Sequence, residues 1–99
     1  MAALQLLIHA PTADALTRAR NNAQNLLATA PDTAVEIVIN GPAVAAALDA
    51  PHDTDVLLRV CSNTLARLER PLPATLCSVP AAVLHIAQRQ RDGWSYMRA

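Results

Sequence analysis

Leu4–His9, Ala34–Ile39, Asp55–Cys61 and Thr75–Val79 are short, mostly apolar runs, and each is followed by a segment with helical spacing. No other property of the chain narrows its fold as much. Runs of this length suit strands, and near-continuous apolar character suits strands covered on both faces. Strands that alternate with helices pair in parallel through right-handed crossovers. The sequence therefore predicts β-α-β-α-β-α-β-α-β, ending in a short strand over Trp94–Met97. The expected class is α/β, and 99 residues make a single domain spanning 1–99.

Capping residues and prolines set the boundaries. Thr12 can cap the first helix, with Asp14 in its first turn, where the helix dipole favours a negative charge. Leu16, Ala19, Ala23, Leu26, Leu27 and Ala30 form its apolar face, and Arg18, Arg20, Gln24 and Asn25 fall largely on the other. Pro31-Asp32 ends it. Gly41 suits an N-cap and Pro42 the first position of a short helix reaching Leu48. His52–Thr54 reads as a polar turn before the strand Asp55–Cys61. Asn63–Arg70 is the third helix, with Leu65 and Leu68 inward and Arg67 and Arg70 in its last turn. Pro80 again suits the first position of a helix, the fourth, whose apolar stripe is Ala82, Val83, Ile86 and Ala87, and Gly93 suits the left-handed position beyond it.

Composition excludes several function classes. Formal net charge is zero, all eight basic residues are arginine, and no basic stripe forms, so no nucleic-acid partner is expected. No apolar run reaches membrane-spanning length, so no membrane partner is expected either. Met1–His9 lacks a basic leader and a cleavage motif and reads as a first strand. Two cysteines at unrelated positions make no disulfide framework. Together these features point to the cytoplasm. Two glycines, Gly41 and Gly93, leave no room for a dinucleotide fingerprint or a P-loop. His9, His52 and His85 show no metal-ligand spacing with Cys61 or Cys77. Neither a metal nor an organic cofactor is expected. The hydrophobic fraction, 53%, is high for so small a body, and the excess suits a subunit interface.

In an open α/β sheet, ligands bind outside the carboxyl ends of the strands. His9–Thr12, Asn40–Pro42, Cys61–Thr64 and Ser78–Ala81 converge there. Cys61 is the strong nucleophile among them. It ends a strand and starts a helix, where backbone N–H groups and the dipole favour a thiolate. Ser62, Asn63 and the N–H groups after them are placed to bind a sulfur anion or an oxyanion. Asn40 and Gly41 bring a second loop to the same edge. His9 is the one histidine on that edge, as a base for Cys61 or in a capping or exposed role. Cys77, inside a predicted strand, reads as a buried small hydrophobe. Arg59 shares a sheet face with Cys61. A charge inside a strand needs a partner, and Glu36 on the second strand is the expected one. The alternatives for Arg59 are support of an anion near Cys61 and an intersubunit contact.

Three motifs carry a resemblance. Asn40-Gly41-Pro42, Val60-Cys61-Ser62-Asn63-Thr64-Leu65, and Val79-Pro80-Ala81-Ala82-Val83 through Gln90-Arg91-Asp92-Gly93-Trp94-Ser95-Tyr96, at these spacings, resemble the DsrE/DsrF-like family of small sulfur-relay proteins. The resemblance runs along essentially the whole chain. It implies a three-layer α/β/α Rossmann-like domain with a five-stranded, mainly parallel sheet, assembled as a homotrimer or homohexamer. It also implies that a cysteine at the position of Cys61 carries sulfane sulfur as a persulfide between a donor and an acceptor protein, the work of a sulfurtransferase.

Two function classes follow. In one, Cys61 is a sulfur carrier. In the other, the chain is a non-enzymatic oligomeric module that binds a small anion or a partner protein, and Cys61 is structural. A nucleotide-binding relative is a weaker third class, opposed by the missing glycine-rich loop. The thiol's reactivity separates the first two.

Overall fold

The computed structural model describes residues 3–99. Met1 and Ala2, part of the amino-terminal stretch read as a strand, lie outside the described residues. The elements are β1 (Gln5–Ala10), α1 (Ala13–Thr29), β2 (Ala34–Ile39), α2 (Pro42–Asp49), a 3-10 turn (Asp53–Leu57), β3 (Leu58–Cys61), α3 (Ser62–Leu68), β4 (Cys77–Val79), α4 (Ala82–Arg91) and β5 (Ser95–Arg98). All five strands are parallel, in the order β4-β3-β2-β1-β5. The expected three-layer α/β/α arrangement is the observed one.

Strand order decides which face each helix takes. From β1 to β4 the chain advances one strand at a time in one direction. Right-handed crossovers then put α1, α2 and α3 on one face. After β4 the chain returns across the sheet to β5, so α4 lies on the opposite face, packed on β2, β3 and β5. Ile8, Ile37, Ile39, Leu58 and Val60 point toward the three-helix face and meet Leu16, Ala19 and Ala23 of α1 and Ala43, Val44 and Ala47 of α2. The alanines let both helices approach the sheet closely. Leu7, Val38 and Cys61 point the other way, toward Ala82, Ile86 and Trp94. Leu7, Ile8, Ile37, Ile39 and Leu58 are fully buried, and each contributes about 1.5–3 kcal/mol.

The caps fall where the sequence puts them. Thr12 Oγ1 accepts the Ala15 N–H at 3.0 Å. Gly41 is the N-cap of α2 at φ +54°, with Pro42 at the first helical position. A Cβ at Gly41 would stand 3.1 Å from the Pro11 carbonyl oxygen, so glycine lets the loops after β1 and β2 touch. Gly93 takes the left-handed conformation at φ +94°.

Several expectations are corrected. The third strand begins at Leu58, not Asp55, because Asp53–Leu57 coil into the 3-10 turn. His52 and Asp55 cap that turn reciprocally. Asp55 also accepts a hydrogen bond from Arg20 at 3.1 Å. Arg20 is thus buried against this turn instead of lying on the outer face of α1. The third helix stops at Leu68, where Glu69 turns left-handed at φ +53°. The fourth and fifth strands are Cys77–Val79 and Ser95–Arg98, shorter or later than expected. Cys77 is exposed, not buried. It lies on an edge strand on the face that only α4 covers, and α4 packs on the other strands. Val83 and Ala87 are exposed as well. The inward stripe of α4 is Ala82, His85, Ile86 and Arg89, which is half polar because the sheet beneath it carries Glu36 and Arg59.

Candidate functional site

The face under α4 is built by strand parity. Leu7 and His9 of β1, Glu36 and Val38 of β2, and Arg59 and Cys61 of β3 project to this side. The register pairs His9 with Val38 and Val38 with Arg59 across the three strands. Leu7, Val38 and Cys61 form an apolar patch under the start of α4. Glu36 and Arg59 sit nearer the amino ends and form a charged one.

Glu36 is 4% exposed and holds three cationic or protonatable side chains. His85 Nε2 donates to Oε1 at 2.7 Å. Arg89 donates through Nε to Oε1 and through Nη2 to Oε2, each at 2.9 Å. Arg59 Nε lies 3.3 Å from Oε2. The Arg59–Glu36 pair expected from the sequence is therefore present. Arg59 also donates through Nη1 to the carbonyls of Val56 and Leu58, at 3.1 and 2.9 Å. Burial pushes the Glu36 carboxyl up, but the hydrogen bonds from Arg89 and His85 and the charges of Arg59 and Arg89 outweigh it and hold the carboxyl at about 2. The carboxylate raises Arg89 in return. The Arg89 guanidinium also lies over the Trp94 ring, 4.9 Å from its centroid. With these partners, Arg59 is a structural tie between β3 and β2.

Cys61 is the N-cap residue of α3, in extended backbone conformation. It is 6% exposed. Its Sγ accepts the N–H of Ala82, the first residue of α4, at 3.4 Å. Gly41 N–H donates to Thr64 Oγ1 at 3.2 Å, which leaves the Thr64 hydroxyl proton free to point at the sulfur. Burial raises the Cys61 pKa. The N–H groups of Thr64, Ala82 and Asn63 and the Thr64 hydroxyl overcome that and bring it below the ordinary thiol value. The sulfur thus sits between the first turns of two helices on opposite faces of the sheet, with donors from both.

The other expected site residues gather around it to different degrees. Asn63 serves through its backbone N–H while its side chain faces solvent. Ser62 is the first residue of α3, half-buried. Gly41 reaches the sulfur through Thr64. Asn40 follows β2 one step beyond the Ile39–Val60 pairing, at the level of Cys61 on the neighbouring strand. Its Oδ1 lies 2.9 Å from His9 Nε2. His9 Nδ1 lies 3.1 Å from the Tyr96 hydroxyl on β5. Both ring nitrogens of His9 are therefore engaged by Asn40 and Tyr96, and the imidazole is not bonded to the sulfur. Sequence reading missed the contribution of Ala82, which only the return of α4 across the sheet brings to Cys61. Thr64 carried a usable signal, three residues into a helix that starts at a cysteine.

The opposite edge of the sheet holds a shallow depression of about 550 Å³ lined by Pro51, His52, Asp53, Asp55, Val56 and Thr75. Neither cysteine lines it. Among the described residues, no three His, Cys, Asp or Glu side chains converge as metal ligands. No helix among them is long and apolar enough to cross a membrane.

No family model matches the chain. No curated protein matches it. Among solved structures, it is similar to a protein of unknown function, MTH1491, from Methanobacterium thermoautotrophicum. The TM-score is 0.81 at 22% identity, over 97% of this chain and 99% of that one. That likeness carries the fold alone, along the full length of both chains.

Proposed function

We propose that the protein is a sulfur carrier in which Cys61 takes sulfane sulfur from a donor, holds it as a persulfide and passes it on. The observation that carries this reading is the set of donors around Cys61 Sγ, drawn from α3, α4 and Thr64, which favours an anionic sulfur. In the loading step the Cys61 thiolate attacks the outer sulfur of a donor persulfide R–S–SH. A new S–S bond forms to Cys61, the donor's S–S bond breaks, and its electron pair and the released thiolate leave together as R–S⁻. The outer sulfur keeps its proton or ionises. Unloading is the same exchange onto an acceptor thiolate, so the cycle needs no oxidant. N–H groups aimed at the sulfur stabilise the thiolate before attack and the persulfide anion after it. Donor and acceptor are protein or small-molecule thiols. Both cysteines are free, which suits a reducing compartment, and we assign the chemistry to the cytoplasm.

The test is intact-mass spectrometry after incubation with a sulfane-sulfur donor. Wild type should gain the mass of one sulfur, removable by dithiothreitol, and Cys61→Ser should gain none at that site. No gain on wild type, or equal gain on the variant, rejects the reading.

One observation favours a second reading. Cys61 belongs to a buried cluster with Leu7, Val38 and Ala82 and holds the first turn of α4 through its sulfur. On that reading Cys61 is structural and the protein is an oligomeric module binding a small anion or a partner protein. A Cys61 that alkylates no faster than a free thiol near neutral pH would select it.

We also propose self-association as a homotrimer or homohexamer. The support is the face carrying α4. Val83 is 75% exposed there, and Leu84 and Tyr96 are exposed too.

A further inference from the structure

Three strands contribute to one hydrogen-bond chain at the carboxyl edge of the sheet. Tyr96 of β5 meets His9 of β1, and His9 meets Asn40 at the end of β2. The direction of the chain follows from the Asn40 atom that faces His9, which is Oδ1. An amide oxygen only accepts, so the proton facing Asn40 Oδ1 is on His9 Nε2. In the neutral ring Nδ1 is then the acceptor, and the Tyr96 hydroxyl donates to it. The centroids of the His9 and Tyr96 rings lie 6.2 Å apart, with the planes tilted by 38°. The Asn40 amide is held at its oxygen end by His9. Its oxygen is turned to His9, and its NH2 group, for which no protein acceptor occurs among the described residues, is left to the site.

The position of that amide gives the chain a purpose. Asn40 is one step past Ile39 and Cys61 one step past its partner Val60, so the two stand at the same level of the sheet's carboxyl edge. Asn40 reaches His9 on the same side of the sheet on which Cys61 reaches Ala82. The strand order makes β1 the turning point, since the chain leaves it for β2 on one side and comes back to β5 on the other. Ligands of open α/β sheets bind at such points, outside the carboxyl ends. Tyr96, His9 and Asn40 line that edge from β5 to β2, and the sulfur follows on β3.

We propose that Tyr96 and His9 are positioning residues that orient the Asn40 amide, and that its N–H groups bind the anionic sulfur species reacting at Cys61. The substrate class is an anionic low-molecular-weight sulfane-sulfur donor, such as a persulfide or thiosulfonate. This rests on the sulfur-carrier reading of Cys61 and adds a recognition element to it. With a persulfide the exchange is the one written above; with a thiosulfonate R–SO2–S⁻ the Cys61 thiolate attacks the outer sulfur, the S–S bond breaks and its electron pair leaves with the sulfinate R–SO2⁻, and Asn40 gains and loses no proton in either.

The experiment has two readouts on full-length protein carrying Cys77→Ser, so that Cys61 is the thiol observed. The first is the rate of sulfur uptake by intact mass with a small persulfide. The second is the ratio of Cys61 alkylation rates with anionic iodoacetate and neutral iodoacetamide, which reads anion recognition without any sulfur transfer. Asn40→Asp keeps an oxygen for His9 and removes the donor. It should slow uptake at least tenfold and lower the iodoacetate-to-iodoacetamide ratio at least fivefold. His9→Ala should lower both. His9→Gln, which keeps an N–H for Asn40, should restore part of the loss. Tyr96→Phe, at an exposed position, should reduce both about threefold with an unchanged melting temperature. Unaltered uptake and an unaltered ratio in Asn40→Asp or in Tyr96→Phe overturn the proposal. If wild type takes up no sulfur, the carrier reading falls, and the alkylation ratio still decides whether Asn40 receives an anion beside Cys61. Should Asn40→Asp fail to fold, the two readouts on Tyr96→Phe decide the question.

Discussion

The reactivity of Cys61 is set by four donors against burial, and they do not act alike. The N–H groups of Asn63 and Thr64 come with the start of α3, and only proline would delete them. The Thr64 hydroxyl is removed by a smaller change. Thr64→Val keeps the side-chain volume and removes that donor and the acceptor of the Gly41 N–H. With one stabilising contact gone, the thiol moves back up toward its ordinary value. In a Cys77→Ser background, iodoacetamide should modify Cys61 about three- to tenfold more slowly near pH 7, and the half-maximal pH of the reaction should rise. Unchanged kinetics would show that the hydroxyl does not face the sulfur. This part of the site was readable from sequence, because a cysteine between an apolar run and a helix start implies donors from the helix. The Ala82 contact was not. It links residues 21 apart through a helix on the far side of the sheet, and no local pattern encodes that crossing. Cys77 misled for a related reason. It falls inside a predicted strand and so reads as buried, but strand order makes that strand an edge.

At the scale of elements, α4 shows where periodicity succeeds and where it fails. The helix and its end were legible from the spacing and Gly93, but it starts at Ala82, with Ala81 as N-cap, so Pro80 lies before it and not at its first position. Its inward face was not, since an apolar stripe was expected and the buried side includes His85 and Arg89. The missing signal lay on other elements, in the two charges Glu36 and Arg59 placed inside strands. β3 erred in the same way, because Asp55 looked like the start of a strand while its carboxylate caps a turn and pairs with Arg20. Glu36 joins α4 to the sheet through ion pairs, and this makes the attachment pH-dependent. Its carboxyl titrates at about 2 in the fold against an ordinary 4.5. A depressed folded pKa contributes stability that is complete above the unfolded value and is lost as pH falls through the folded one. The contribution is about 3 kcal/mol at neutral pH. Urea titrations should therefore show wild type losing stability between about pH 4.5 and 2. Glu36→Gln should be about 3 kcal/mol weaker at pH 7, with a flatter profile across that window, since it leaves Arg59 and Arg89 without their counter-charge. A variant with the wild-type acid limb would show that other carboxylates dominate.

For the molecule as a whole, the two faces of the sheet are covered unequally. Three helices pack on one side and α4 alone on the other. The alternation of strands and helices made a parallel sheet covered on both faces legible; the strand order, and with it the unequal cover, lay beyond sequence reading. The sparsely covered side carries the exposed Val83, Leu84, Tyr96 and Cys77. If that side is the contact between copies, Val83→Arg should shift the protein from oligomer to monomer in light scattering at micromolar concentration. Chain stability should stay within about 0.5 kcal/mol, because the side chain is largely exposed within its own protomer. An unchanged oligomer would place the contact elsewhere. The single helix on this side also touches the sulfur at its first amide, and that contact makes the protein its own indicator. In a proton–nitrogen correlation spectrum the Ala82 resonance should move when Cys61 ionises, gains a sulfur or is alkylated, while amides of α1 and α2 stay still. One backbone signal, needing no dye and no label on the thiol, would then report the chemical state of Cys61 during a reaction.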